Sequence, residues 1–413
     1  MNHGLKSGRH IGGALLVCSV LFGPYAKAQE RVNVTGELDL RWVDATGAPS
    51  FFDNGLGILR FDPDHEGPRL GHALLVSDLR LADFVTAHVV ADAYGDHGSN
   101  FAGVSEAYLD ARPITGSIEW NAKLGAFFMP VSFENSGPGW TDIYTLTPSA
   151  LNTWIGEEFR TLGTQLQARW IGANYGYPGD LALFGAVYAW NEPAGSLLDE
   201  RGFALTDRPS NIFGSLGEPP TSFYHELDRR AGYYAGVDWR HRDLLEVRAL
   251  RYDNQANPNA ENAAGTIYAW RTRFTTAGAK VQPTSWLTLI AQYLDGNTTS
   301  GEPYDDDGPL FEMNYKTEFA LASVQWKRER LTARYDDFRT HQVSELLAPP
   351  PVNDLGHAWT VGLQHDLGKG FQLAAEWIRV NSSFPPRALI GEPDALIESQ
   401  VQLSVRYRFN TGI

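Results

Sequence analysis

The sequence predicts an all-β chain, closed as a transmembrane antiparallel up-and-down β-barrel of about sixteen strands with a constriction loop. Three observations predict it. Apolar and polar residues alternate at period two in segment after segment. The connections between segments alternate between short and long. The tryptophans gather near segment ends.

The ends of the pattern are the clearest. Val32, Val34, Leu38, Leu40 and Trp42 alternate with Asn33, Thr35, Glu37, Asp39 and Arg41. At the other end Ile397, Val401, Leu403, Val405, Tyr407 and Phe409 share one face. Glu398, Gln400, Gln402, Ser404, Arg406 and Arg408 share the opposite one. Between these two, strands are expected near 69–77, 81–93, 104–111, 117–128, 159–170, 181–190, 231–240, 243–252, 266–281, 285–295, 316–327, 330–338, 357–366 and 371–380. Most are long enough to cross an apolar slab, which takes about 9–11 residues in a tilted strand.

Long connections are expected near 44–67, 94–103, 129–158, 191–230, 253–265, 296–315, 339–356 and 382–395. Short ones include Arg80–Asp83, Arg112–Gly116, His241-Arg242, Gln282–Thr284, Lys327–Glu329 and Leu367–Gly370. Barrels of the bacterial outer membrane have short periplasmic turns and long extracellular loops. Closure leaves no unpaired edge, so each backbone polar group is satisfied inside lipid.

Ten of the twelve tryptophans lie in or beside these strands. Trp42, Trp190, Trp270, Trp359 and Trp377 fall at the outer level, and Trp120, Trp170, Trp239, Trp286 and Trp326 at the periplasmic level. Indole prefers the headgroup region, and a barrel carries two such girdles.

Residues 1–28 read as a secretory signal peptide, with Lys6 and Arg9, an apolar run from Ile11 to Gly23, and Ala26-Lys27-Ala28. The barrel is then expected over 29–413. The one cysteine, Cys18, sits in the apolar run, so the remainder has no disulfide framework. After residue 28 the chain holds 31 basic and 49 acidic residues, which argues against nucleic acid as a partner. Of those basic residues 26 are arginine, the cation suited to fixed bidentate pairs.

Parity sends one face of each strand into the lumen. The basic residues expected there are Arg41, Lys123, Arg169, Arg240, Arg248, Arg271, Arg273, Lys327, Arg334, Arg406 and Arg408. The acidic ones are Glu37, Asp39, Glu106, Asp110, Glu119, Asp238, Glu246, Asp336, Glu376 and Glu398. A charge facing lipid at mid-depth costs about 2–4 kcal/mol for Arg or Lys, so this face implies enclosed water. Such residues either guide solute or stiffen the wall as ion pairs.

The third long connection is apolar for a segment in water, with Phe133, Trp140, Ile143, Leu146, Leu151, Trp154 and Ile155. It is expected to fold into the barrel or across its mouth. A short helix is expected from Pro148, with Thr147 as its N-cap. Glu134, Asp142, Glu157, Glu158 and Arg160 then become the candidate constriction charges.

Other sites are weaker. Asp305-Asp306-Asp307-Gly308 lacks the spacing of a calcium loop. The histidines show no metal-ligand spacing, and no nucleophile motif occurs. Neither a catalytic centre nor a cofactor is expected.

The run Ala107-Tyr108-Leu109-Asp110 and the stretch from Leu124-Gly125-Ala126-Phe127-Phe128-Met129-Pro130 to Val131-Ser132-Phe133-Glu134-Asn135 are similar to the phosphate-selective porin O and P family. The resemblance covers residues 100–165. It implies a homotrimeric channel of the Gram-negative outer membrane, seated in its lipid. The expected function is passive diffusion of small polar or ionic solutes through a water-filled barrel. An anion- or phosphate-selective channel, a plugged barrel serving adhesion or assembly, and a barrel hydrolase are the alternatives.

Overall fold

The alternating segments close on themselves. The computed structural model describes residues 31–96, 101–113, 116–217, 221–301, 309–344 and 350–412. Within them sixteen antiparallel strands form one closed barrel. They are β1 (Val32–Thr46), β2 (Gly67–Ala82), β3 (Val85–Ala93), β4 (Ala102–Ala111), β5 (Ile118–Phe127), β6 (Thr161–Trp170), β7 (Gly179–Ala189) and β8 (Gly232–His241). The second half is β9 (Leu245–Asp253), β10 (Trp270–Thr284), β11 (Leu287–Ser300), β12 (Phe311–Trp326), β13 (Glu329–Gln342), β14 (Leu355–Gly368), β15 (Phe371–Ser383) and β16 (Ala395–Gly412). Every strand pairs with its sequence neighbours, and β1 pairs with β16 to shut the sheet. The expected leader, Cys18 and the Asp305-Asp306-Asp307 run lie outside the described residues.

Connections are short at one end (83–84, 242–244, 285–286, 327–328, 369–370) and long at the other (47–66, 128–160, 190–231). Side-chain parity matches the expectation at the closing seam. On β16 Leu403 is 54% exposed while its neighbour Gln402 is 1% exposed. Leu38, Leu40 and Trp42 of β1 continue the exposed apolar belt, and Glu37, Asp39 and Arg41 point inward. Trp42, Trp190, Trp359, Trp377, Trp120, Trp239, Trp286 and Trp326 are exposed, as girdle residues should be. Trp270 departs from the pattern, because it meets Phe311 edge-on at 5.0 Å beside the interior cluster.

Two of the long connections carry helices into the lumen, and Ile58, Leu59 and Arg60 of the 47–66 connection are buried with them. The 128–160 segment carries α1 (Ala150–Glu158), all of whose residues are buried. Its N-cap is Ser149, whose side chain accepts from the Asn152 N–H at 3.2 Å. The expected cap, Thr147, is committed elsewhere: its hydroxyl accepts from Gln402 Nε2 of β16 at 3.2 Å. The 190–231 segment carries α2 (Ser196–Arg201) and lies against α1. Gly195 starts α2 at φ +112, and a Cβ there would fall 2.2 Å from Thr272 Oγ1, so only glycine fits.

The lumen is therefore divided. Toward the long-loop ends of β9–β13 it is dry, and Trp154, Phe159, Phe203 and Leu205 of the inserted segments pack on Tyr252, Phe274, Tyr315 and Phe338 of the wall. Trp154 meets Tyr315 edge-on at 4.9 Å and Phe159 at 4.7 Å. Full burial of one such side chain contributes about 1.5–3 kcal/mol. Toward β16, β1, β2 and β3 the wall is charged.

Candidate solute pathway

The charged wall begins at the closing seam. In register, Glu37 faces Arg408 and Asp39 faces Arg406. Arg406 Nε is 2.9 Å from Asp39, Arg408 pairs with Glu37, and His72 of β2 lies 2.9 Å from Glu37. Arg41 stands one inward position above Asp39 and touches it at 2.7 Å. It also reaches Asp207 of the 190–231 segment at 2.6 Å. Asp207 in turn binds Arg60 at 2.8 Å, Arg60 binds Asp96 at 3.0 Å, and Asp96 binds Arg208 at 3.2 Å. Alternating charges thus run from the short-turn end to the long-loop end. Arg41 and Arg60 hold the Asp207 carboxyl well below the usual carboxylate range, against the opposing effect of burial.

Opposite this wall lies the 128–160 segment, fixed by a buried polar cluster. Arg334 of β13 donates to the carbonyls of Thr147 at 2.8 Å and Pro148 at 2.9 Å. The same guanidinium is 2.8 Å from Asp336, 3.4 Å from Glu134 and 3.8 Å from Asp142. Glu134 accepts from the N–H of Ser149 at 2.7 Å and from Asn152 Nδ2 at 2.8 Å. Glu376 of β15 accepts from the N–H groups of Leu146 and Thr147 at 2.6 and 3.1 Å. A buried charge is tolerated only with such partners.

Between segment and wall a cleft remains. His72, Leu74, Asp92 and Arg406 bound it on one side, and Asn135, Asp142, Leu146 and Asn152 on the other. It offers 20 Å³ to the centre of a water molecule, hardly more than the minimum one water needs. Asp142 and Arg406 also line a second cavity of 240 Å³ toward the short-turn end. That vestibule adds Lys327, Arg328, Arg330 and Arg408, against Glu329 and Asp366.

The expected site residues divide into five groups. Glu37, Asp39, Arg41, Arg406 and Arg408 build the charged wall, and Asp142 lines both cavities. Glu134 and Arg334 lock the inserted segment. Glu157, Glu158 and Arg160 bind the second inserted segment instead of lining the cleft. Glu157 pairs with Arg201 and accepts from Thr206 Oγ1 at 3.1 Å. Glu158 accepts from the N–H groups of Gly195 and Leu197, each at 2.9 Å. Arg160 donates to the Ser210 carbonyl at 2.6 Å and covers the Phe128 ring at 3.5 Å.

Arg169 and Arg240 form a separate cluster on Asp238, at 3.3 and 3.1 Å, with Arg248 at 2.9 Å. Arg271 and Arg273 are corrections to the sequence reading: they do not face the lumen. Thr272 and Phe274 between them are buried inward, Thr272 against the Ala194 carbonyl and Phe274 against Trp154 at 6.0 Å. The interior is dry there, so the polar parity points outward, near the long-loop rim.

Sequence reasoning missed Arg60, His72, Asp92, Asp96, Asp207 and Arg208. The Asp207-Arg208 pair in an otherwise apolar stretch was the available signal.

No family model matches the chain, and neither does any curated protein. Solved structures do. The OmpF porin of Salmonella typhi, in complex with daunomycin, superposes with a TM-score of 0.53 at 12% identity, over 92% of this chain and 97% of that one. The outer membrane channel DcaP of Acinetobacter baumannii gives 0.53 at 11% identity, over 92% and 96%. An anion-selective porin from Comamonas acidovorans gives 0.51 at 12%, over 92% and 99%. The chain has the fold of these bacterial outer-membrane barrels.

Proposed function

We propose that this chain is an outer-membrane porin that passes small polar or ionic solutes down their gradient. The observation that carries the reading is the continuous charged wall, facing a cleft that shares Asp142 and Arg406 with a charged vestibule. The apolar belt sits in lipid, the long loops are extracellular and the short turns periplasmic. The 128–160 segment is the constriction, and selection is steric with a field set by the wall. No bond is made or broken, so the protein is not an enzyme and needs no cofactor. Homotrimeric assembly follows from the resemblance over residues 100–165 and is checked by light scattering on the detergent-solubilised protein.

The vestibule favours anions. Lys327, Arg328, Arg330, Arg406 and Arg408 outnumber Asp142, Glu329 and Asp366 there. Selectivity for phosphate itself is the narrower form of this reading. The test is single-channel conductance with reversal potential in a salt gradient. Stepwise conductance with anion preference supports the reading.

A second reading has its own observation. The cleft is so narrow, and the two inserted segments so well packed, that the barrel could stand plugged in its resting state. A plugged barrel would serve adhesion or assembly, and it would show no conductance steps.

A further inference from the structure

The 190–231 segment leaves the barrel at β7 and returns at β8. Its two legs meet outside the charged wall already described. Glu192 stands on the first leg and Glu226 and Asp228 on the second. Each residue brings a carboxylate oxygen within 4.8 Å of the other two.

Among the described residues neither Glu192 nor Glu226 has a cationic partner within salt-bridge distance, and Asp228 has only Arg230. Glu192 is 2% exposed. Its Oε2 accepts from the backbone N–H groups of Leu227 and, at 3.0 Å, Asp228, which turns the side chain into the cluster. Its Oε1 has no hydrogen-bond partner. Glu226 Oε1 is also buried without a partner, while its other oxygen accepts from the Trp190 N–H at 3.4 Å. Asp228 accepts from the N–H groups of Arg230, at 2.8 Å, and Asn257. Arg230 Nε lies 3.6 Å from Asp228, but its side chain is 54% exposed and its field is screened by water.

A buried carboxylate oxygen without a donor is costly, and three carboxyl groups this close cannot all stay ionised alone. Either a proton or a metal must sit among them.

The geometry fits a hard cation. Calcium binds oxygen at about 2.3–2.6 Å, so ligand oxygens stand up to about 5 Å apart across it. Magnesium demands a tighter octahedron at about 2.0–2.1 Å. We propose that Glu192, Glu226 and Asp228 form a calcium site that ties the two legs of the 190–231 segment together at the barrel mouth. Water completes the coordination shell. The ion thereby holds α2 and Asp207 in the lumen, since both lie between the clamped legs.

The test uses the full chain, purified in detergent and stripped of metal with EDTA. Calcium titrated by calorimetry should bind with one site per chain lost in the Glu192→Gln, Glu226→Gln double variant. Terbium should give luminescence sensitised through Trp190 in the parent and none in the variant. Folding of the variant is read by heat-modifiable gel mobility and melting temperature. In EDTA the variant should melt above the parent, because the repulsion is gone, and calcium should raise only the parent. Should the double variant fail to fold, Glu226→Gln alone carries the same readouts. The Asp53, Asp62 and His65 cluster is the control, and Asp62→Asn should leave the site unchanged. Absence of the site in the parent, equal binding in the Glu192 and Glu226 variants, or loss in Asp62→Asn overturns the proposal. None of these readouts depends on conductance, so they stand apart from the porin reading.

Discussion

The guanidinium of Arg334, on the barrel wall, donates to the backbone carbonyl of Thr147 at 2.8 Å and so bolts the inserted 128–160 segment to β13. The arginine is fully buried, and Glu134 and Asp336 depend on it. Replacing Arg334 with alanine strands those carboxylates. Removing one partner of a buried pair costs about 3–5 kcal/mol. The variant should melt lower, and its freed segment should give larger, noisier conductance steps in planar bilayers. Unchanged step size would separate this segment from the pathway.

Glu157 looks like a constriction charge in sequence and is a structural one in the fold. Its partners are Arg201 and Thr206, both on the second inserted segment. Glu157→Gln should leave the reversal potential where it is and lower thermal stability, by up to about 3–5 kcal/mol for a broken buried pair. A shift toward anions with unchanged stability would return Glu157 to the pathway.

Arg408 projects into the vestibule and its side chain stays 44% exposed beside Glu37. Arg408→Gln leaves Glu37 with His72 and makes the vestibule less positive. The reversal potential should move toward cations, most at low salt, because the field there is screened within about 10 Å at 0.1 M. Comparing the shift at low and high salt checks it.

The pH dependence of the metal-free protein follows from Glu192, which faces Glu226 and Asp228, with Arg230 beyond Asp228. Its carboxyl is raised from an ordinary 4.5 to about 8 in the folded chain. The folded state therefore holds a proton that the unfolded state releases, and stability falls as pH rises through that window. Melting curves in EDTA between pH 5 and pH 8 should show the decline, and Glu192→Gln should flatten it.

Much of this fold is legible in the chain, and the one strand whose parity fails has a physical cause. Strands β1 and β16 read correctly because Asp39, Arg41, Gln402 and Arg406 face a polar lumen while Leu40, Leu403 and Val405 face lipid. Strand β10 was misread because its lumen side is dry. There Phe274 points inward to Trp154, and Arg271 and Arg273 point outward above the belt. The polar-inside rule holds only where water or paired charge lies inside.

The second inserted segment was invisible for another reason. The Glu158 contacts to Gly195 and Leu197, and the Thr153 contact to Thr206, join residues about forty to fifty apart, and no local period records them. The helix in the first segment was found, but its cap was displaced from Thr147 to Ser149 because Gln402 claims the threonine hydroxyl.

Solute passage along the charged cleft, and not through the apolar half of the lumen, is the central claim, and one labelling measurement tests it. Residues 29–413 contain no cysteine, so a single cysteine can be placed at Leu74, beside the cleft, or at Ile290, in the dry half of the lumen. A charged methanethiosulfonate reagent added during single-channel recording should block current through Leu74→Cys and leave Ile290→Cys untouched. Block at Ile290→Cys with none at Leu74→Cys would place the water on the wrong side of the inserted segments and contradict the account.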